Sequence, residues 1–301
     1  MLNRITQTTI AIVLVLILEL IVYSLLVKPY IRHWGATDFE YNMDLAGDGD
    51  NMFIASTRAI EIDASKPEVW RWLMQLGADR AGFFSYDFIE EALGYNTKHT
   101  DMNTPQFKDL TTNDIVRGTI NEDKAAIPYN FKVLLVEPEE TFVLENWGSF
   151  LLRSVDDDTT RVVIRTQELA SGELFTKFKH QLAIAFHYLM ERRMLLGLKI
   201  KVEDTLAPTY RRDKDVMWLA SIILSGCLSF ALIFALKSFV AQLVLPSFLG
   251  GAWLGTLFVL SPVMLNGIAL LAVVTLVWIV ITLNGKRKLH EPEADAASTS
   301  D

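Results

Sequence analysis

From Ser238 to Gly285 no residue carries a charge, and this run constrains the fold more than any other feature. It is too long for a core helix and long enough for two bilayer crossings at roughly 20 residues each. Its second half, "VMLNGIALLAVVTLVWIVITL", predicts a span at 263–284. Its first half is interrupted by Pro246, Gly250, Gly251 and Pro262. Membrane helices tolerate Gly and Pro, so 240–261 reads either as a further span or as a loop lying at the interface. Ahead of it, "VMWLASIILSGCLSFALIFAL" predicts a span at 216–237, flanked by Arg211, Arg212, Lys214 and Lys237. Near the N-terminus, "TTIAIVLVLILELIVYSLLV" predicts another at 8–28. It runs into Lys28 and Pro29 with no small-residue cleavage site, which is the pattern of a retained anchor. Its one charge is Glu19. An acid at that depth either meets another helix or sits protonated or snorkelling in a lone anchor.

Basic residues near the spans set orientation. Three spans put the middle of the chain and the tail on one side, gathering Lys28, Arg32, Arg211, Arg212, Lys214, Lys286, Arg287 and Lys288 against Arg4 and Lys237. Four spans split the same residues five against five. The charge rule therefore favours three spans, with the middle domain cytoplasmic and the protein in the cell membrane. The length of the uncharged run argues for four. Cys227 is the only cysteine, so no intrachain disulfide forms. A net charge of −8 excludes a broad nucleic-acid footprint. The segment 285–301, ending "EPEADAASTSD", is expected to be a disordered tail.

The block 38–212 is large enough for one water-soluble core. "DLAGDGDNM" lacks the spacing of an EF-hand loop and reads as a linker. "FIASTRAIEIDA" alternates as a strand. Ser65-Lys66-Pro67-Glu68 then forms a capping box with Pro in the first turn, and Val69, Leu73 and Leu76 make the buried stripe of the helix it starts. "SYDFIEEALGY" predicts a second helix capped by Ser85, with Phe88, Ile89, Ala92 and Leu93 inward. Five β-rich runs follow, from "DIVRGTI" to "TTRVVIRTQE". Their spacing requires antiparallel hairpins, with Asp156-Asp157-Asp158 at one tip. A long amphipathic helix closes the block, its expected stripe being Phe175, Phe178, Leu182, Ala185, Phe186 and Leu189.

The fold class is therefore α+β: a curved antiparallel sheet around a long C-terminal helix, with flanking transmembrane helices. A sheet gripping one helix leaves an apolar cavity between them. "WRWLMQLGADRAGFFSYD" (Trp70–Asp87) fits the pattern W-x-W-L-x-Q-[LM]-G-x-x-R-[AG]-G-[FWY]-[FY]-S-Y-D, and "FHYLMERRMLLGLK" (Phe186–Lys199) has the look of its closing helix. With these motifs the segment Phe53–Asp204, about half the chain, resembles a membrane-associated branch of the START-like (SRPBCC) superfamily, the helix-grip fold. The resemblance implies a fold and a cavity for a hydrophobic ligand, not a reaction.

No nucleophile elbow, P-loop or dinucleotide fingerprint is present. His187 and Glu191, at i and i+4, share a helix face but have no third ligand in sequence reach. Neither a metal nor a cofactor is expected. Trp70 and Trp72 diverge by about 200° on a helix, so one is expected to face the core and the other a neighbour or the cavity. Arg80 either pins the Gly77–Gly82 loop, with Asp87 or Glu90 accepting its bonds, or stands at the cavity mouth to meet a carboxylate or phosphate. The candidate ligand-binding set is Trp72, Arg80, Tyr86, Asp87, Trp147, Arg165, His187 and Glu191. The expected function is membrane-anchored binding of a lipid or other hydrophobic small molecule, without catalysis. The alternatives are a structural or regulatory membrane protein that binds a protein partner through its transmembrane helices, with Glu19 touching the C-terminal helices, and a cyclase- or aromatase-like enzyme using Tyr86, Asp87 or His187.

Overall fold

The computed structural model describes residues 3–49, 52–95, 107–121, 130–169, 174–203 and 209–290. The chain divides into two compact units, one of Lys28–Asp213 and one of Met1–Val27 with Lys214–Asp301.

The first unit is α+β. Among the described residues it has six antiparallel strands: β1 (Met52–Ile62), β2 (Ile115–Arg117), β3 (Asn130–Glu137), β4 (Thr141–Leu144), β5 (Gly148–Ser154) and β6 (Thr160–Leu169). They form one open sheet in the order β1-β6-β5-β4-β3-β2. All six fall where the alternating runs predict them, and Asp156–Asp158 turn the β5–β6 hairpin, with Val155 N–H bonded to the Thr159 carbonyl.

Strand parity gives the sheet two faces. Register pairs Arg58 with Ile164, Ile60 with Val162 and Ile62 with Thr160. That inner face, with Phe142, Leu144, Phe150 and Leu152, packs in the main core with residues of α4 (Lys66–Leu73) and α6 (Leu174–Glu203). On the outer face lie Thr57, Arg161 and Arg165. They are covered by residues 35–48, which include the short helix α3 (Asp38–Asn42) and its Thr37–Glu40 capping box. Arg161 donates to Glu40 Oε2 at 2.7 Å, and Arg165 to Asp48 Oδ2 at 2.7 Å. The "DLAGDGDNM" segment, read as a linker, is thus in its described part a strap held onto the sheet.

The Ser65–Glu68 capping box starts α4 as predicted. Trp70 and Trp72 are both buried; one was expected to face the core and the other a neighbour or the cavity. α4 packs on both α6 and β5, and Trp72 meets a neighbour, Phe84, edge-on at 6.1 Å. Both flanks are covered. The next helix, α5 (Asp87–Ala92), starts two residues after Ser85 with Tyr86 at its N-cap. Ser85 does not cap it because its hydroxyl donates instead to the Met190 carbonyl of α6 at 2.8 Å. Ala92 and Leu93 are exposed and Glu90 is buried, since a six-residue helix turns mainly its first turn inward.

The inward stripe of α6 also differs from expectation. Ile184, Tyr188, Glu191, Arg192, Leu195 and Leu198 are buried, whereas Phe186 is exposed; the side chains of Phe175, Phe178 and Leu182 lie outside the described set. An apolar-only search skips Tyr188, Glu191 and Arg192 and so selects a neighbouring face. At its far end α6 meets the Phe83–Tyr86 corner very closely. A Cβ on Gly197 would overlap the Phe84 carbonyl oxygen, which also accepts from Arg193 Nη1 at 3.2 Å.

The second unit is helical. It contains α1 (Arg4–Val22), a π-helical turn at Tyr23–Val27, α7 (Thr209–Ala235) from Lys214 onward, α8 (Phe239–Leu254), a second π turn at Gly255–Val259 and α9 (Met264–His290). The short α2 (Lys28–Arg32) continues the first helix. Among the described residues four helices are long and apolar enough to cross a membrane: Arg4–Arg32, Arg212–Ala235, Phe239–Val259 and Met264–Asn284. The ambiguous stretch at 240–261 is helical over most of its length despite Pro246. The expected tail at 285–301 is helical to His290; its remainder lies outside the described residues.

Packing in this unit uses side-chain polar groups to satisfy helix carbonyls, as apolar surroundings require. Buried Gln242 donates to the Ile233 carbonyl at 2.8 Å and accepts from Gln7 Nε2 at 2.9 Å. Trp253 and Trp278 donate to the Ile222 and Leu228 carbonyls at 2.8 and 3.0 Å. Many large apolar side chains remain exposed, among them Leu16, Leu20, Ile223, Phe248, Leu265 and Leu276.

Candidate functional site

Glu191 is the polar centre of the sheet unit. It projects from α6 toward the inner sheet face, and its side chain is fully buried. Oε1 accepts from Arg58 Nη1 of β1 at 2.7 Å. Oε2 accepts from Trp147 Nε1 and from Thr166 Oγ1 of β6, each at 3.3 Å. One turn earlier on α6, His187 Nε2 lies 3.4 Å from the same oxygen. Arg58 also donates Nε to the Ile31 carbonyl at 2.9 Å, and its guanidinium stands 5.1 Å over the Tyr188 ring.

Burial alone pushes the Glu191 carboxyl up. Arg58, His187 and the bonds from Arg58 and Trp147 outweigh it and hold the group below the ordinary carboxylate range. His187 moves down, because burial and then Arg58 disfavour the imidazolium more than Glu191 favours it. Burial raises the Tyr188 phenol to about 12. The site at neutral pH is therefore a Glu191–Arg58 ion pair beside a neutral imidazole.

An aromatic wall adjoins this centre. Trp147 packs on Phe131, Phe150 and Phe83 with ring centroids 4.9, 5.4 and 5.8 Å apart. His187 is half-buried, with 39% of its side chain open. His187 is thus the open edge of an otherwise buried polar centre.

Of the predicted site residues, the structure brings Trp147, His187 and Glu191 together and disperses the others. Arg165 is on the outer face. Its five N–H donors bond Thr57 Oγ1, Asp48 Oδ2 and the Met43, Glu40 and Tyr41 carbonyls, which leaves none for a ligand. Arg80 pins its loop through the Met74 carbonyl at 3.0 Å and the Lys108 carbonyl, with its guanidinium 5.2 Å over Phe107. Neither Asp87 nor Glu90 supplies those acceptors; Asp87 pairs instead with Arg212 at 3.3 Å. Tyr86 is buried with Arg193 5.8 Å over its ring, and Trp72 lies under Lys201 at 5.9 Å.

Sequence reasoning missed Arg58 and Thr166. The signal for Arg58 was present: it shares strand parity with Ile60 and Ile62, so it is a cation on a core-facing position. Thr166 has the opposite parity to Arg165 and therefore faces the centre. Among the described residues no group of three or more His, Cys, Asp and Glu is placed to hold a metal ion.

The titration of His187 makes a sign-definite prediction. Its folded value is lowered, so below the ordinary imidazole value near 6.5 the unfolded chain binds the extra proton. The sheet unit should lose stability as pH falls from 7 toward 5, with a slope under about 1.4 kcal/mol per pH unit and softened by the open part of the ring. Glu191 adds its own loss only as pH falls below the carboxylate range. Thermal unfolding of the full chain followed by near-UV circular dichroism should show a flatter profile from pH 7 to 5 in His187→Phe. Parallel profiles would contradict the assignment.

No protein-family model matches the chain, and no curated protein sequence matches it.

Proposed function

We propose that this protein is a membrane-anchored, START-like binder of a lipid or other hydrophobic small molecule, which it holds between the sheet and α6 without converting it. The observation that carries the reading is the open edge of His187 beside the buried Glu191 centre and Trp147. Such an arrangement offers an apolar body of contact and one polar end. Glu191 is already paired with Arg58, and His187 is neutral. The polar end therefore suits a hydroxyl or carbonyl better than a charged headgroup, and the pairing of Glu191 speaks against its use as a free general base.

The helical unit supports the membrane part of the proposal. Four long apolar helices and a large exposed apolar surface are what a bilayer covers. Four crossings would place the α+β unit and the C-terminal tail on opposite sides and balance the flanking bases at five and five. The cytoplasmic placement favoured by three spans then loses its charge argument.

The test uses the full chain in nanodiscs of one synthetic phospholipid. Mass spectrometry should find a stoichiometric apolar molecule other than that phospholipid, or the protein should take up fluorescent acyl or sterol probes. His187→Trp, which covers the open edge of the centre, should weaken uptake by about tenfold or more, a change of roughly 1.4 kcal/mol. Phe186→Trp, at an exposed position, should not. A folded protein that carries nothing and takes up no probe removes the proposal.

A further inference from the structure

Glu19 faces α8 in the helical unit. Its carboxyl lies where a side chain on residue 250 would otherwise be, and a Cβ on Gly250 would overlap Oε1. Both carboxyl oxygens are buried, and among the described residues neither has a hydrogen-bond partner. Glu19 thus touches the C-terminal helices, as in the protein-partner alternative, but among the described residues no side chain there bonds its carboxyl. One turn on, the Tyr23 hydroxyl is likewise buried without a partner, while its ring packs edge-on against Phe258 at 5.9 Å. These residues sit where two π-helical turns, Tyr23–Val27 and Gly255–Val259, meet. Such turns occur often at functional sites, because they release backbone groups from the regular helical ladder.

The surroundings decide what this pocket can bind. Among the described elements α8 packs on α1 and the π turn after α8 packs on the π turn after α1, and neither carries a titratable or charged side chain. Along its own helix Glu19 has Tyr23 one turn away, with Lys28 nine residues and Arg4 fifteen residues distant. An ionised carboxylate left unpaired in such a place is strongly disfavoured, so the group takes a positive partner or becomes neutral. Calcium and magnesium take about six or more oxygens and zinc about four ligands, and one carboxyl with one phenol supplies neither set. The ligand that fits is a proton.

We propose that Glu19 is a proton-binding site of the helical unit, occupied at neutral pH, and that the Gly250 gap holds the carboxyl in its neutral form against α8. Proton release would leave a bare carboxylate between α1 and α8 and loosen that contact. Proton occupancy thereby couples to helix packing. The site is independent of any ligand held by the sheet unit.

Infrared difference spectroscopy of the full chain in nanodiscs, wild type minus Glu19→Gln, reads the site directly. At pH 7 the wild type should show one protonated-carboxyl carbonyl band that the variant lacks, and the band should be lost on raising the pH. The lipid-soluble reagent dicyclohexylcarbodiimide gives a second readout. The neutral acid adds across one N=C bond: its oxygen bonds the central carbon and its proton goes to nitrogen. Migration of the acyl group to nitrogen leaves a stable N-acylurea, with no leaving group. Peptide mass spectrometry should find this adduct at Glu19, formed more slowly as pH rises and absent in Glu19→Gln. Gly250→Ala should reduce both signals, because it displaces the carboxyl. Coincident wild-type and variant spectra at pH 7, with a carboxylate band in place of the acid, would overturn the proposal. So would an adduct rate that does not depend on pH.

Discussion

Glu191→Ala is expected to destabilise the sheet unit by about 3–5 kcal/mol, the usual result of removing one partner from a buried ion pair. Three donors and a neighbouring imidazole converge on this carboxylate. Without it Arg58 is left as a buried cation with only the Ile31 carbonyl and the Tyr188 face. For a unit of this size the loss corresponds to a fall in Tm of roughly 10 °C. The double variant Arg58→Met/Glu191→Leu should recover most of it, since apolar side chains of similar volume remove both desolvation penalties. A double variant as unstable as the single would show that the pair is not what Glu191 stabilises. Thermal unfolding of the three proteins by near-UV circular dichroism makes the comparison.

The second large effect is expected at Gly197. Replacing it with Ala drives a methyl group into the Phe84 carbonyl, which is backbone and cannot rotate away. Phe84 already holds φ of 57°, a left-handed conformation costing about 1–3 kcal/mol for a residue with a side chain. The corner is held to α6 by the Arg193 and Ser85 hydrogen bonds, so relief requires the helix and the corner to separate. The expected loss is about 2–3 kcal/mol, together with faster amide exchange in the loop from Gly77 to Tyr86 than in the sheet. Uniform acceleration across the whole unit would instead mean that α6 itself is lost.

The strands and hairpins were legible because alternation and turn residues are local signals. The Ser65 cap was legible for the same reason. Ser85 carries an equally good local signal, but the Met190 carbonyl competes for its hydroxyl, and that carbonyl is far away in sequence. The site was half legible. His187 and Glu191 announce themselves by helical spacing, whereas their partners come from strands whose register with α6 no local pattern specifies. Arg165 shows the converse. One step of strand parity separates it from Thr166, and that step sends one side chain to the strap and the other to the Glu191 centre.

The sheet order has a consequence for how the chain is made. β1, the first strand synthesised, pairs only with β6, the last, joining Met52 to Leu169 and Ile62 to Thr160 across most of the unit. Every other strand can find its neighbour through a hairpin as it emerges. β1 waits until some hundred residues have followed it, a long-range closure of the kind that slows folding and exposes unpaired edges. Throughout that interval Arg58 has no Glu191, because α6 is later still. The residue that organises the finished core is thus among the first to appear and the last to be neutralised, and a nascent chain halted before β6 holds an open edge with a bare cation on it.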